Sequence, residues 1–338
     1  MRIGILGAGD MGRTHARVFA AIPEVTIAGM VGRSRERVEE VAREVGVPAL
    51  TDPWAILDDE SVEAIDITYP SALHREWAVA ALERGKHVFC ETPMALTLED
   101  VDAMIAAAQA SGKILMPAQV QRFGVEYAFV HDEVASGKLG RPLAAYAGTR
   151  LPPYGAGTKR PLELYGGPML DLMIHPFDML NWLLGPPVSL SGTGQSGPSG
   201  DIDYAFVALE YPEASGLVEG SAVMPASFPF TLNLRVLGEE GAIETSLALG
   251  PEEAISLVRY PPSGEPEALT LEGTDPYTAE CQYFARCLRG DADPAAVNPG
   301  AEREALRVAL AARQAIAERT VVSVTDFNRR HVGRARTG

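Results

Sequence analysis

The stretch RIGILGAGDMGRTHARVFAAI, residues 2–22, constrains the fold more than any other part of the chain. A short apolar run closes on Gly7-Ala8-Gly9-Asp10-Met11-Gly12 and passes at once into a pattern of helical period. In G-x-G-x-x-G placed between a strand and a helix, the first glycine allows the tight turn and the second lets a pyrophosphate approach the backbone. The third lets helix and strand pack closely. The helix N-terminus adds free N–H donors and a partial positive charge. The spacing therefore predicts a dinucleotide-binding turn, with Gly7, Gly9, Asp10, Met11 and Gly12 against the cofactor.

The first 118 or so residues continue in the same style. Strand patterns at RIGILG, VTIAGMVG, VEAIDITYP, KHVFCE and KILMPAQ alternate with helical ones, including SRERVEEVAREVG, which ends at Gly46, and TLEDVDAMIAAAQASG, with Thr97 as N-cap. Strands alternating with crossover helices predict a doubly wound parallel sheet. From residue 119 longer strand candidates appear: AAYAGTRL, YAFVALEY, GLVEGSAVM, FTLNLRVLG and GAIETSLAL. Gly-containing turns such as GEEG make an antiparallel or mixed sheet the expectation here. SLSGTGQSGPSGD, residues 189–201, reads as a polar surface loop, and residues 276–318 return to helical periodicity. The expected class is α/β, with a Rossmann dinucleotide-binding domain over 1–118, a second α/β domain with a large open mixed or antiparallel sheet over 119–330, and a polar tail over 331–338.

Charge narrows the partners. Lys and Arg total 29 against 45 Asp and Glu, a net charge of −16, which argues against nucleic acid or an anionic membrane as partner. Three cysteines, Cys90, Cys281 and Cys287, lack the paired spacing of a zinc site or a disulfide framework. No apolar run approaches a membrane span, and the N-terminal one is shorter than a signal-peptide core. A soluble, cytoplasmic protein with a small-molecule substrate is the expectation.

The second strand should end on an acid if the cofactor's ribose 2′-OH is free, about twenty residues past the glycine turn. Gly32 stands there instead, followed by Arg33, Ser34, Arg35 and Arg37. Guanidinium groups and a hydroxyl suit a 2′-phosphate, so NADP(H) is expected over NAD(H). The same arginines would also serve as solvated charges at a helix start.

A second constellation lies in GGPMLDLMIHPFDMLNWLLG, residues 166–185. On one continuous helix Asp171, His175 and Asp178 share a stripe, beside an apolar stripe of Leu170, Ile174 and Phe177. An imidazole flanked by carboxylates suits proton transfer near neutral pH. A structural histidine, helix-solvating carboxylates and a metal pair at Asp171 and His175 are the alternatives, and no further His or Cys cluster completes a metal site.

Over nearly its whole length the chain resembles the Gfo/Idh/MocA family of oxidoreductases. The resemblance is carried by GAGDMGRTH, ITYPSALH, GKHVFCETP and GGPMLDLMIHPFD. It implies an N-terminal Rossmann domain and a C-terminal domain whose open sheet forms the interface of a homodimer or homotetramer. The implied chemistry is hydride transfer between NAD(P) and a hydroxyl or carbonyl carbon of a sugar, cyclitol or related compound. Pro70 and His74 would lie beside the nicotinamide half, and Glu91 and Pro93 would shape its pocket, Pro93 through a cis bond. Asp171 would bind a substrate hydroxyl and His175 would be the general acid/base. In purely structural terms Pro70 ends a strand, His74 caps a helix and Glu91 pairs with a basic neighbour.

Two departures from the family pattern stand out. Met173 replaces a glycine between the Asp and the His, with either packing or pocket width as the consequence. Thr92 replaces the lysine of Glu-Lys-Pro, a cation that would steady a developing alkoxide, so Thr92 can offer only a hydrogen bond at the catalytic position. Arg122, Arg150, Tyr154, Lys159, Arg160 and Tyr165 are candidates to meet the substrate or to replace that charge, Arg122 and Lys159 foremost, or else are ordinary loop and ion-pair residues. A non-catalytic NADP-binding sensor, or net non-oxidative chemistry with the cofactor cycling in place, would use the same fold.

Overall fold

The computed structural model describes residues 1–153, 161–250 and 254–327. They form two compact units, Met1–Phe123 with Thr274–Arg303, and Gly124–Gly273 with Glu304–Gly338. The first unit opens with β1 (Arg2–Leu6), α1 (Asp10–Ala21), β2 (Thr26–Val31), α2 (Arg35–Val45), α3 (Pro53–Leu57) and β3 (Ala64–Ile67). It continues with α4 (His74–Glu83), β4 (His87–Glu91), α5 (Leu98–Ser111) and β5 (Leu115–Ala118). All five strands are parallel in the order β2-β1-β3-β4-β5. Ala49 adds a single parallel bridge outside β2, at Met30. Local signals set the helix limits. Gly46 closes α2 in the left-handed region at φ 77°, and the Thr97 side chain accepts the Asp100 N–H at the start of α5. The short α3 was not anticipated, although Asp52 capping Pro53 is a recognisable start.

The second unit begins with α6 (Val125–Ala135), β6 (Pro142–Arg150), α7 (Leu162–Tyr165), α8 (Gly167–Asp171) and α9 (Ile174–Leu184). There follow β7 (Ser189–Ser196), β8 (Ile202–Glu210), β9 (Ser215–Ser221), β10 (Phe230–Gly238), β11 (Gly241–Leu249), β12 (Ala254–Tyr260) and β13 (Glu267–Ala268). The chain then runs through α10 (Pro276–Arg289), α11 (Pro299–Glu318) and β14 (Val322–Ser323). The sheet has nine strands in the order β13-β12-β11-β10-β6-β9-β8-β7-β14. Its β6–β9 pair is parallel and the other pairs are antiparallel, which is the mixed sheet expected. Pairing register puts Tyr146, Tyr204, Phe206, Leu217, Glu219, Arg235 and Leu237 on one face. Phe206, Leu217 and Leu237 are exposed there, while Glu219 is nearly covered and accepts hydrogen bonds from Tyr146 (2.6 Å) and Tyr204 (2.9 Å). Among the described residues no helix is long and apolar enough to cross a membrane.

The structure departs from the sequence reading in three places. The contiguous division at 118 does not hold for residues 274–303, which return to the first unit. There Cys281, Phe284 and Ala285 of α10 join Ile3, Ile5, Phe19, Phe89 and Met116 in one core, with Phe284 stacked on Phe89 at 4.9 Å. Residues 189–196 of the supposed polar loop are strand β7. Gly192 and Gly194 carry no side chain to block Ile316 of α11, so a loop-like composition serves a strand that a helix approaches closely. The helix expected over 166–185 is divided after Asp171. Pro176 has no N–H for the Leu172 carbonyl, so α9 starts afresh at Ile174 and carries the proline in its first turn, where that N–H is not needed.

Met173, in that break, is buried and packs over Gly220 of β9, where a Cβ would come within 2.3 Å of its Cγ. The methionine therefore takes up space left by a glycine on the facing strand, and its effect is on packing. Gly220→Ala is expected to cost about 1–3 kcal/mol of stability by overpacking. Chemical denaturation of the Met173→Ala and Gly220→Ala singles and their double should show the double less destabilised than the sum.

Candidate functional site

The glycine turn shows three distinct steric roles. Gly7 has φ +135° and lies so close to Thr68 that a Cβ would fall 2.2 Å from its Oγ1. At Gly12 a Cβ would meet the Gly7 carbonyl oxygen at 2.3 Å, so α1 lies against the turn only because that position is bare. A Cβ on Gly9 would meet nothing within 4 Å. No side chain caps α1, whose first acidic residue is the exposed Asp10. An open backbone beside an uncapped helix N-terminus fits the pyrophosphate of a dinucleotide, with the N–H groups of Asp10, Met11 and Gly12 as the natural donors.

At the end of β2 the basic residues divide. Arg35 pairs with Glu39, and Arg37 donates to the Ala8 carbonyl (3.2 Å) while pairing with Asp10 and Glu40. Arg37 thus braces the turn and balances Asp10. Arg33 is exposed and has no carboxylate partner among the described residues. Ser34 caps α2 by accepting the Arg37 N–H and keeps its own hydroxyl hydrogen to donate.

Pro70, His74, Glu91, Thr92 and Pro93 converge at the ends of β3 and β4. Pro70 lies three residues past the end of β3 and starts a turn whose Leu73 N–H bonds back to its carbonyl. His74 is buried, with Nε2 2.6 Å from the Tyr69 carbonyl and Nδ1 3.1 Å from the Pro93 carbonyl. Burial holds its pKa below the ordinary value, so the neutral ring donates one N–H at a time and ties the two segments together. The Thr92–Pro93 peptide is cis. Thr92 donates its N–H to Glu91 Oε2 at 3.1 Å, and its buried Oγ1 has no hydrogen-bond partner among the described residues. Buried Glu302 accepts the Met94 N–H (3.3 Å) and the Gln119 side-chain amide (2.9 Å) and secures the segment beyond the proline.

Beneath Glu91 lies a group that the sequence reading did not assign. His15, on α1 within the matched GAGDMGRTH, has Nδ1 3.1 Å from Asp66 and Nε2 3.2 Å from Glu91, with Glu280 at 3.9 Å. His15, Asp66 and Glu280 are fully buried, and the imidazole stacks on Phe89 at 5.3 Å. Burial alone would lower the imidazole pKa, but Asp66 and Glu91 outweigh it and hold it well above the ordinary value. Burial likewise pushes the Glu280 carboxyl well up, with His15 opposing only in part. The sequence signal available was a histidine one helical turn past Gly12; Glu280 gave none, since it lies more than 260 residues further along the chain.

In the second unit, Asp171 ends α8 and His175 is the second residue of α9. Both are half-buried, while Pro168–Leu170, Leu172–Ile174 and Pro176–Leu180 around them are buried. Asp178, expected on the same stripe, is buried instead. Arg150 is engaged on the sheet face with Asn233 and Glu219, and Tyr165 closes α7. Arg122 is buried in the turn Val120–Phe123 of the first unit. Tyr154, Lys159, Arg160 and the tail 331–338 lie outside the described residues.

The buried cluster has a pH signature. Both His15 and Glu280 bind a proton more tightly folded than unfolded, so their stabilisation is complete in acid and fades as pH rises, above 4.5 for Glu280 and above 6.5 for His15. While only the folded form holds the proton, each such group lowers stability by up to about 1.4 kcal/mol per pH unit. Glu280→Gln should flatten this decline, and denaturation midpoints from pH 5 to 9 should show its advantage over wild type growing with pH.

Comparison with known proteins agrees with this geometry. A family model described as "Oxidoreductase family, NAD-binding Rossmann fold" matches residues 1–119, and a "GFO/IDH/MocA C-terminal domain" model matches 127–244. Myo-inositol 2-dehydrogenase of Thermotoga maritima is 28% identical over 345 aligned positions, spanning 96% of this chain and 99% of that protein. scyllo-Inositol 2-dehydrogenase (NAD(+)) of Bacillus subtilis is 28% identical over 304, spanning 87% and 88%. A probable dehydrogenase from Thermotoga maritima superposes with a TM-score of 0.82 at 26% identity, covering 97% of this chain and all of the other. With an open glycine turn in one half and the D-x-x-x-H pair in the other, both inside matched regions, the chain belongs to the Gfo/Idh/MocA family of NAD(P)-dependent oxidoreductases.

Proposed function

We propose that this protein is an NADP-dependent dehydrogenase or reductase of a sugar, cyclitol or related polyol. The observation that carries the cofactor half is the bare backbone at Gly9 beside the uncapped start of α1. Preference for the 2′-phosphate is supported by Gly32 in place of an acid, by Arg33 without a carboxylate partner among the described residues, and by the Ser34 hydroxyl. The relatives named for inositols support the substrate class. When bound, the nicotinamide supplies or accepts the hydride.

The chain's own residues handle the hydroxyl. Asp171 accepts a hydrogen bond from a substrate hydroxyl, and His175 takes up its proton in oxidation and returns it in reduction. Thr92 Oγ1, buried and without a hydrogen-bond partner among the described residues, donates to the oxygen of the reacting carbon or of the cofactor ribose. A neutral donor steadies a developing oxyanion less than an ammonium does, which directs the enzyme to substrates that bring their own activation or to slow turnover. Arg122 and Lys159 complete the substrate set in this reading. Free, buried Cys90, Cys281 and Cys287 suit a reducing cytoplasm. The exposed Phe206, Leu217 and Leu237 on one sheet face are the contact between copies in a homodimer or homotetramer.

Fluorescence titration should show NADPH binding more tightly than NADH, with Arg33→Ala weakening NADPH about tenfold or more. On a panel of inositols and aldoses, His175→Ala should lower kcat roughly 100- to 10,000-fold with cofactor affinity unchanged. Tight NADPH binding with no turnover on any compound, unaltered by His175→Ala, would favour a sensor instead. Leu217→Glu with Leu237→Glu should yield a monomer by light scattering, and an unchanged mass would refute the sheet contact.

A further inference from the structure

His15 is a fully buried titratable side chain to which the proposed reaction gives no task. It is bracketed by carboxylates from two strands, Asp66 on β3 behind it and Glu91 at the end of β4 ahead of it, with Glu280 of α10 alongside. Phe89 stacks on its ring and Phe19 meets it edge-on at 6.3 Å, which holds the ring plane, with Nδ1 hydrogen-bonded to Asp66 and Nε2 at ion-pair distance, 3.2 Å, from Glu91 Oε1. Glu91 uses Oε1 toward His15 and Oε2 toward the Thr92 N–H. A continuous polar chain therefore runs from Asp66 through His15 and Glu91 to the backbone of Thr92.

We propose that His15 is a positioning residue for hydride transfer: clamped by Asp66, its imidazole aims the Glu91 carboxylate at the Thr92 N–H and so fixes where the Thr92 hydroxyl and Pro93 stand. The inference rests on the reading that the Thr92–Pro93 segment borders the nicotinamide. A free Glu91 would rotate among several staggered arrangements, only some of which accept the Thr92 N–H. A charge-assisted partner at Nε2, itself held by Asp66, selects one of them. Burial raises the pKa of Glu280 and so favours the neutral form of that carboxyl beside this imidazole.

The test uses the full-length protein with NADPH and the polyol panel, comparing wild type with His15→Gln, and adds amide-resolved hydrogen exchange at Thr92. In the variant Thr92 is expected to lose at least tenfold in protection, and kcat to fall at least tenfold, with substrate KM and NADPH affinity within about threefold of wild type. A role confined to folding would lower the melting temperature without this split. Should His15→Gln fail to fold, Asp66→Asn keeps the shape, removes the charge behind the imidazole, and carries the same expectations. Unchanged Thr92 protection in either folded variant overturns the proposal. Loss of protection in a protein whose wild type binds NADPH but turns over nothing upholds the positioning by His15 and overturns the dehydrogenase reading instead.

Discussion

The first unit depends on a contact that permits no side chain. Helix α1 starts where it does because Gly12 lies against the Gly7 carbonyl and Thr68, at separations a Cβ would violate by about an ångström. That close approach has two consequences. It leaves the N-terminus of α1 open above Gly9, and it carries His15, one turn further along, into the core between β3 and β4. The cofactor turn and the buried charge cluster are two results of one steric constraint.

The cluster shows why a buried ionic group persists in an otherwise apolar layer. Taking His15, Asp66 and Glu280 out of water costs more than a simple ion pair recovers, and an apolar replacement of similar shape would often be as stable. What the cluster supplies is direction. It fixes one carboxylate at the strand end where the Thr92–Pro93 segment begins, with His74 and Glu302 bracing that segment from two other sides. Several polar anchors surround Thr92, whose own hydroxyl is buried without a hydrogen-bond partner among the described residues. A threonine in such surroundings is held to a defined geometry, which suits a hydrogen-bonding role and not a loop position tolerant of any side chain.

In the second unit Met173 is accommodated by a bare position on the facing strand, since Gly220 on β9 leaves it a place inside. Asp171 and His175 then remain the half-buried positions in a buried run. Pro176 divides the helix between them and keeps the break local, since the lost N–H falls in the first turn of α9.

Much of this was legible in the chain itself. The glycine turn, the five parallel strands, Thr97 and Gly46 at helix ends, and five of the long strands of the second sheet follow from local periodicity and turn chemistry, which act over a few residues. The Pro176 break was equally legible, because a missing N–H is a local fact, yet a continuous stripe of Asp171, His175 and Asp178 overrode it. What only the tertiary structure decided depends on partners far apart in sequence. Strand β7 exists because β8 pairs with it and Ile316 needs its glycines bare, and α10 joins the first core through Phe284 against Phe89. His15 gains its raised basicity and its direction from Asp66 and Glu91, and a pattern read along the chain cannot report an electric field set by groups that folding brings together.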